Sequence, residues 1–416
     1  MELPKPNVPE RIRVRPARED DLERLVTIHA AAFPDARSRE TRRRNFTDNV
    51  RGGLADLLVA ERDGVLVGHT FAFRLGTWIG GAEIPVGGVA SVGVAPEARG
   101  SGVARALMSA VDATLRARSV PLAMLYPFRH KFYRQLGYGM VCELHRIRVA
   151  ASSYPQSEIE GVVRGAARPD DLQAVRRCYQ RSGERSNGLV VRRENVWRAL
   201  FAPEGRQLIV VPGASGEVDG YLVYGYLSPP DGLAQELDII EIVAETDAAR
   251  RALYGFVHAQ RDQVPCVRHV VHAHDPLLAV LDEPRSPDGG LMRALVPVAG
   301  EIGAGPMLKL VDVPGALAAR GYGTDGRLTV RVNDALGPAA AVACTLGVEA
   351  GVAFVETERT GPTLWTDVAT LAQIYAGYLR TTDAVRLGRA QVDTWATALF
   401  CDALFEAPPF FPLDVF

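Results

Sequence analysis

The chain has 416 residues, too long for one hydrophobic core, so two or three domains are expected. Apolar residues make up 47% and charged residues 23%, a globular composition that excludes a disordered or fibrous chain. A formal net charge of -2 argues against a nucleic-acid partner, which requires a basic surface to displace counterions from phosphates.

The five cysteines (Cys142, Cys178, Cys266, Cys344, Cys401) are scattered, odd in number and lack C-x-x-C spacing. Neither a disulfide framework nor a metal site is expected. The opening MELPKPNVPERIRVRP has no apolar h-region, and no later stretch reaches the roughly 18 uninterrupted apolar residues of a membrane span. A cytoplasmic chain with no membrane partner is the expectation.

In chain order, Ile12 to Val14 reads as a short strand, and Asp20-Asp21-Leu22 opens an amphipathic helix through Leu25, Val26, Ile28 and His29 to Phe33. Leu57 to Ala60 and Val65 to Leu75 form two arms around Asp63-Gly64, a hairpin signal. Val86 to Val94 reads as a strand and Val103 to Arg118 as a helix.

A second segment repeats this opening. Arg168-Pro169-Asp170-Asp171-Leu172 echoes Arg15-Pro16 with Asp20-Asp21-Leu22, and the strand Ile239 to Ala244 with the helix Ala248 to His258 echoes the later strand and helix. After a Pro-, Asp- and Gly-rich loop, Asp282 to Gly290, the third segment places strands (Leu328 to Val332, Ala340 to Thr345, Gly351 to Glu356) before helices (Asp367 to Leu379, Asp383 to Leu387, Val392 to Phe405). The tail, Ala407 to Phe416, has three prolines and cannot be helical; its aromatic content suits a docked terminus.

The densest chemical signal is Val89 to Ala104, a strand passing through a small-residue loop into a helix. Glycines there allow close backbone approach, and free N–H groups of the first helical turn favour an anion such as a pyrophosphate, with Arg99 adding a charge-assisted contact. The Walker lysine is absent, and G-x-G-x-x-G fails because Arg105 stands at the third glycine position. What stands is R-x-x-G-x-A over Arg99, Gly100, Ser101, Gly102, Val103 and Ala104; alone, it is equally a plain turn opening a helix. The stretch looks like the acyl-CoA pyrophosphate loop of the GNAT superfamily. In that fold the preceding strand splays and offers backbone groups to pantetheine, which falls here on Val92, Gly93 and Val94. Phe132 to Gly139 looks like the superfamily's F-Y-x-x-x-G-Y/F segment, which puts Tyr133 beside the sulfur as a general acid. The alternative for Tyr133 is an aromatic core residue.

Over nearly its full length the chain resembles the enhanced intracellular survival (Eis) family of N-acetyltransferases. The stretches that carry this are His29 to Asp35, Ser91 to Ala104, Phe132 to Gly139, His274 to Leu277 and Leu310 to Tyr322. The resemblance implies an α/β and α+β fold: tandem GNAT folds, each a mixed, mostly antiparallel sheet with helices, followed by an α+β domain like sterol carrier protein 2. On this basis we expect a catalytic domain over 1–150, a degenerate GNAT-like domain over 151–290 and the third domain over 291–416, with its C-terminus in the active site. Glu245 and Asp247, at the second strand-to-helix junction, would repel a pyrophosphate.

The resemblance further implies acetyl-CoA as acyl donor without a metal, an amine acceptor (aminoglycoside, polyamine or lysine-type), and a homo-oligomer, by precedent a hexamer. Tyr133 matches the family's acid, and the carboxylate of the last residue, Phe416, its base; an α-carboxylate, with a reference pKa of roughly 3.3 to 3.7, needs burial or a relaying water for that role. The alternative for Phe416 is that it only packs its ring. Phe33, Asp35 and Asp414 would line the acceptor pocket. Val415 replaces an acidic residue of many relatives, which weakens the case for a polycationic antibiotic, and Gly100-Ser101 replace two arginines of some relatives. With no cysteine in the loop or near Tyr133, transfer is expected to be direct. A contrasting reading is a lipid or metabolite carrier with a vestigial first domain, against which the intact loop argues.

Overall fold

A computed structural model of the chain describes residues 12–159, 162–165, 170–228, 235–333, 342–358 and 360–416. Arg168-Pro169 of the repeat and residues 340–341 of an expected strand lie outside the described residues.

The first unit runs β1 (Ile12–Pro16), α1 (Leu22–Ala32), α2 (Arg39–Thr47), β2 (Leu57–Arg62), β3 (Val65–Ile79), β4 (Ala82–Val94), α3 (Val103–Ala117), β5 (Leu122–Leu125), α4 (His130–Arg134) and β6 (Gly139–Met140). Asp63 and Gly64 both have positive φ, 52° and 79°, the geometry of the tight turn whose twist matches the flanking strands β2 and β3. Helix α3 buries Val103, Leu107, Met108, Val111 and Leu115, one stripe of a 3.6-residue period, against the sheet.

The second unit starts from β7 (Glu143–Ala150) and β8 (Arg164–Gly165). It continues through α5 (Asp171–Arg185), α6 (Glu194–Phe201), β9 (Gln207–Pro212), β10 (Val218–Leu227), β11 (Glu236–Ala244), α7 (Asp247–Ala259), β12 (Cys266–His272) and α8 (Leu277–Val280). Beyond it come a small hairpin of β13 (Leu291–Arg293) and β14 (Val296–Pro297), then β15 (Gly300–Ala304) and β16 (Met307–Leu310).

The two large sheets share one plan. Their strand orders are β1-β2-β3-β4-β5-β16-β6 and β8-β9-β10-β11-β12-β7-β15. Each contains one parallel pair, β4 with β5 and β11 with β12, among antiparallel neighbours. Each also admits a strand from elsewhere in the chain: β16 pairs antiparallel with both β5 and β6, while β7 sits between β12 and β15. The sheets therefore exchange strands across residues 150 and 290, where contiguous segments would divide.

The third region is a five-stranded sheet with helices Val368–Tyr375, Thr381–Arg386 and Trp395–Leu404. Its apolar core is continuous with that beneath the first sheet, joining Ile84, Val86 and Met124 to Leu328, Leu371 and Leu404. Helix Val368–Tyr375 passes so close to β6 that a Cβ at Gly139 would stand 2.1 Å from the Ala369 carbonyl. Among the described residues no helix is long and apolar enough to cross a membrane.

Candidate active site

Strand β4 is the centre of the site. Its parallel pairing with β5 ends at Val89 opposite Leu125, so residues 90–94 have no strand partner on that side. Val92, Gly93 and Val94 thus present a backbone edge without a strand partner to the slot where β4 and β5 part. The register against β3 slips between His69 and Phe71, and Ser91 sits at φ 50°, a non-glycine residue in the left-handed region. Such a bulge re-aims the strand at functional sites.

Beyond β4 the chain turns through Pro96–Ala98 into Arg99–Gly102 and α3. Gly100 and Gly102 adopt φ 77° and 90°; a Cβ at Gly100 would meet nothing within 4 Å and one at Gly102 only Ile12 Cδ1 at 4.0 Å, so their requirement is conformational. Gly102 is the N-cap of α3 and supplies no side-chain acceptor. The first-turn N–H groups of Val103, Ala104 and Arg105 therefore lack intrahelical acceptors and carry the positive end of the helix dipole. Ser101 shapes the loop by donating its hydroxyl to the Ala98 carbonyl at 2.7 Å, and Arg99 donates to the Ala31 carbonyl at 3.1 Å, which ties the loop to the end of α1. The combination of exposed glycines, uncapped helix and unpaired strand edge fits a pyrophosphate with an extended arm.

Two aromatic residues stand at the other end of the slot. Tyr133, on α4, is buried among Phe128, Phe132 and Tyr138. Burial alone pushes its phenol above the ordinary range, so it holds its proton at neutral pH. Phe416 packs its ring on Tyr126 (centroids 5.7 Å apart) and on β4, where a Cβ at Gly88 would lie 3.1 Å from it. The tail reaches the slot, although the rings of Tyr133 and Phe416 do not touch.

Of the expected acceptor residues, Phe33 and Asp35 follow α1 and Asp414 lies in the tail. Phe33 is half-buried and meets His29 with rings tilted by 37° (centroids 4.8 Å apart). Asp35 accepts from Arg37 at 2.7 Å and from Arg42 at 2.6 Å, and hydrogen bonding to Arg37, followed by the nearby charges, lowers its pKa to about 2. Asp414 is buried, accepting from Arg192 Nε at 2.8 Å with Arg51 at 3.5 Å. Both carboxylates are ion-paired within the chain.

The second unit carries an analogous slot with a different junction. Pairing of β11 with β12 ends at Ile239 opposite His269, leaving 240–244 without a strand partner on that side. Here Thr246 caps α7 by accepting from Ala249 N at 3.1 Å. Glu245 is neutralised by Arg181 (2.6 Å) and Arg185 (2.7 Å) and accepts from the Ser182 hydroxyl (2.9 Å). Repulsion by Glu245 is therefore weaker than its sequence suggests, and the occupied cap is the clearer obstacle to an anion.

Sequence reasoning missed Gly88, Tyr126, Arg51, Arg192 and the buried imidazoles of His29 and His69. Gly87-Gly88 inside a strand was a readable sign of close approach. His69 lies against Gly93, whose Cβ would stand 2.6 Å from its Nε2, and burial lowers its pKa to about 3. His29 stacks on it at 5.8 Å, with its own pKa lowered to about 4 by burial and then by Arg37 and Arg42.

Three family profiles match in series: an acetyltransferase (GNAT) domain over residues 13–141, another acetyltransferase (GNAT) domain over 188–301, and a sterol carrier protein domain over 313–412. Among relatives, an uncharacterized N-acetyltransferase of Streptomyces griseus is 28% identical over 357 residues, covering 81% of this chain and 83% of its own. The N-acetyltransferase Eis of Mycobacterium tuberculosis is 26% identical over 327 residues, covering 73% and 75%. In fold, the chain is similar to a GCN5-related N-acetyltransferase from Anabaena variabilis (TM-score 0.84, 23% identity, 98% of this chain and 100% of that one). It is also similar to Eis1 from Mycobacterium abscessus (TM-score 0.77, 23% identity, 98% and 100%). With two acetyltransferase domains ahead of a sterol-carrier domain, the chain belongs to the Eis-like GNAT N-acetyltransferases.

Proposed function

We propose that the chain transfers an acetyl group from acetyl-CoA to a primary amine by direct attack. The observation that carries this reading is the uncapped Gly102 helix start beside the unpaired edge of Val92, Gly93 and Val94. In this reading Arg99–Ala104 hold the coenzyme's pyrophosphate. The Phe416 carboxylate takes a proton from the ammonium form, and the freed lone pair forms the N–C bond as the C–S bond breaks; the new amide nitrogen then loses its second proton, which restores the Tyr133 phenol through solvent. Tyr133 gives its proton to the departing thiolate. The raised pKa of Tyr133 suits an acid that must be protonated before each turnover. All five cysteines are buried and free, and burial raises Cys142 to about 12, which disfavours a thiolate nucleophile.

We assign the chemistry to residues 1–150, a supporting role without catalysis to 151–290, and scaffolding to 291–416 with its tail. Because Asp35 and Asp414 are already ion-paired and Val415 is uncharged, a lysine-type monoamine is favoured over a polycationic aminoglycoside or polyamine. Exposed Leu291, Met292, Leu295 and Ile302 support a homo-oligomer, with a hexamer as the family precedent. Free buried thiols suit the reducing cytoplasm. The test is thiol release from acetyl-CoA against aminoglycosides, polyamines and lysine peptides. Release with lysine peptides is expected; silence across the panel contradicts the reading.

A further inference from the structure

The slot of the second unit borders the chain's own tail. A cavity of about 210 Å³ lies between β11, β12 and the tail residues Pro409, Phe411 and Leu413. Upstream, the chain between α5 and α6 joins both units: Trp78 N donates to the Leu189 carbonyl (3.0 Å) and Gly188 N to the Trp78 carbonyl (2.7 Å), which adds this link to the far end of β3. On its other side Phe411 N donates to the Asn187 carbonyl at 2.7 Å, and the Asn187 amide donates to the carbonyls of Ala376 and Pro408. The link is thus a spacer with β3 on one side and the tail on the other.

At the end of the spacer stands Arg192, with its side chain 1% exposed. Its guanidinium holds Glu241 through Nη1 (2.9 Å) and Nη2, donates from Nε to Asp414 Oδ2 (2.8 Å), and stacks over Tyr179 (4.3 Å) and Trp197 (4.8 Å). Glu241 also accepts from the Tyr221 hydroxyl. From the first unit, Tyr126 donates its hydroxyl to the Asp414 carbonyl at 2.8 Å while its ring meets Phe416. Asp414 is therefore fixed from both units, two residues before the chain ends.

We infer that Arg192 of the second unit, acting through Asp414, is a positioning residue that sets the terminal carboxylate at the reaction centre of the first unit. The inference rests on the reading of the Phe416 carboxylate as base. It gives the second GNAT-like unit a purpose: its slot holds the tail that completes its neighbour. A buried guanidinium is a precise anchor because it is planar, fully charged and satisfied on several sides.

The test compares Asp414→Asn, Tyr126→Phe and removal of Phe416 in the full chain, reading kcat against pH together with calorimetric acetyl-CoA binding. Asp414→Asn keeps the volume and removes the charge. Its kcat should fall on the order of 10²-fold at neutral pH, as for a reacting group displaced by about 1 Å. Coenzyme affinity should stay unchanged, and the deficit should shrink as pH rises toward the amine's own pKa, because a neutral amine needs no base. Removing Phe416 should show the same pH-dependent loss. Tyr126→Phe keeps every charge and removes one hydrogen bond, so about a fivefold loss with the same pH signature is expected even if Asp414→Asn fails to fold. Wild-type kcat and pH profile in Asp414→Asn and Tyr126→Phe, with removal of Phe416 inactivating, overturn the positioning role alone. Wild-type activity without Phe416 overturns the base reading and this inference with it.

Discussion

At residues 94–105 and again at 244–250 the chain makes the same passage, from the parallel-paired strand of a sheet into the helix that covers it. The two passages differ in what they leave free. The first has glycines at positive φ and an uncapped helix; the second has no glycine, a threonine cap and a glutamate held by two arginines. The contrast extends along each slot. Tyr133 lies eight residues beyond the end of β5, and the position eight residues beyond the end of β12 is Val280, which has no proton to give. The strand geometry is alike in both units, and in the proposed reading a few backbone donors and one hydroxyl separate a coenzyme site from a dock for the tail.

The contrast can be broken most severely at the hydroxyl. Tyr133→Phe should lower kcat by about 10² to 10⁴-fold, the range for losing a general acid, while calorimetric acetyl-CoA affinity stays at the wild-type value. An unchanged kcat would remove its role. Next in size, Gly102→Val forces a β-branched residue to φ 90° where a Cβ meets only Ile12 Cδ1 at 4.0 Å, so the fold should persist and the loop should not. Losing two charge-assisted backbone contacts at about 1.5 kcal/mol each predicts on the order of 10²-fold in kcat/KM, carried by the KM for acetyl-CoA. An unaltered KM would mean that the phosphates bind elsewhere.

The second junction predicts smaller effects of another kind. Thr246→Ala removes a helix cap and should cost about 1 kcal/mol in denaturant unfolding, with acetyl-CoA affinity unchanged. A gain or loss of coenzyme binding in this variant would erase the distinction between the junctions. Smallest is a property the two slots share. His69, beneath β4, and His269, on β12, are fully buried, and burial lowers their pKa to about 3 and about 4. An unfolded histidine titrates near 6.5, so below that pH the unfolded chain binds protons that the folded chain refuses. Their stabilising contribution is complete above about pH 6.5 and declines as pH falls toward 4. The melting temperature should drop between pH 6.5 and 5, and His69→Gln should flatten that slope; an equal slope would show that His69 is not the group responsible.

Much of this was legible because it is local. The bend at Arg99–Ala104, the Asp63-Gly64 hairpin and the stripe of α3 each declare themselves within a few residues of one another. Helix α2 did not, since RETRRRNFT buries only Arg42 and Phe46 and shows no apolar period. The exchange of β7 and β16 between sheets was hidden for a different reason. A strand's sequence records that it is buried, and its partner lies more than a hundred residues away. Asp414 and Asp35 were expected to line an acceptor pocket, and the arginines that pair with them come from distant or polar stretches that give no pairing signal.

The asymmetry between the two junctions is tested most directly by calorimetric titration of acetyl-CoA into the wild-type chain, Gly102→Val and Thr246→Ala. One coenzyme bound per wild-type chain, lost in Gly102→Val and retained in Thr246→Ala, is the predicted result. Two coenzymes per chain, or binding that survives Gly102→Val and disappears in Thr246→Ala, would contradict it.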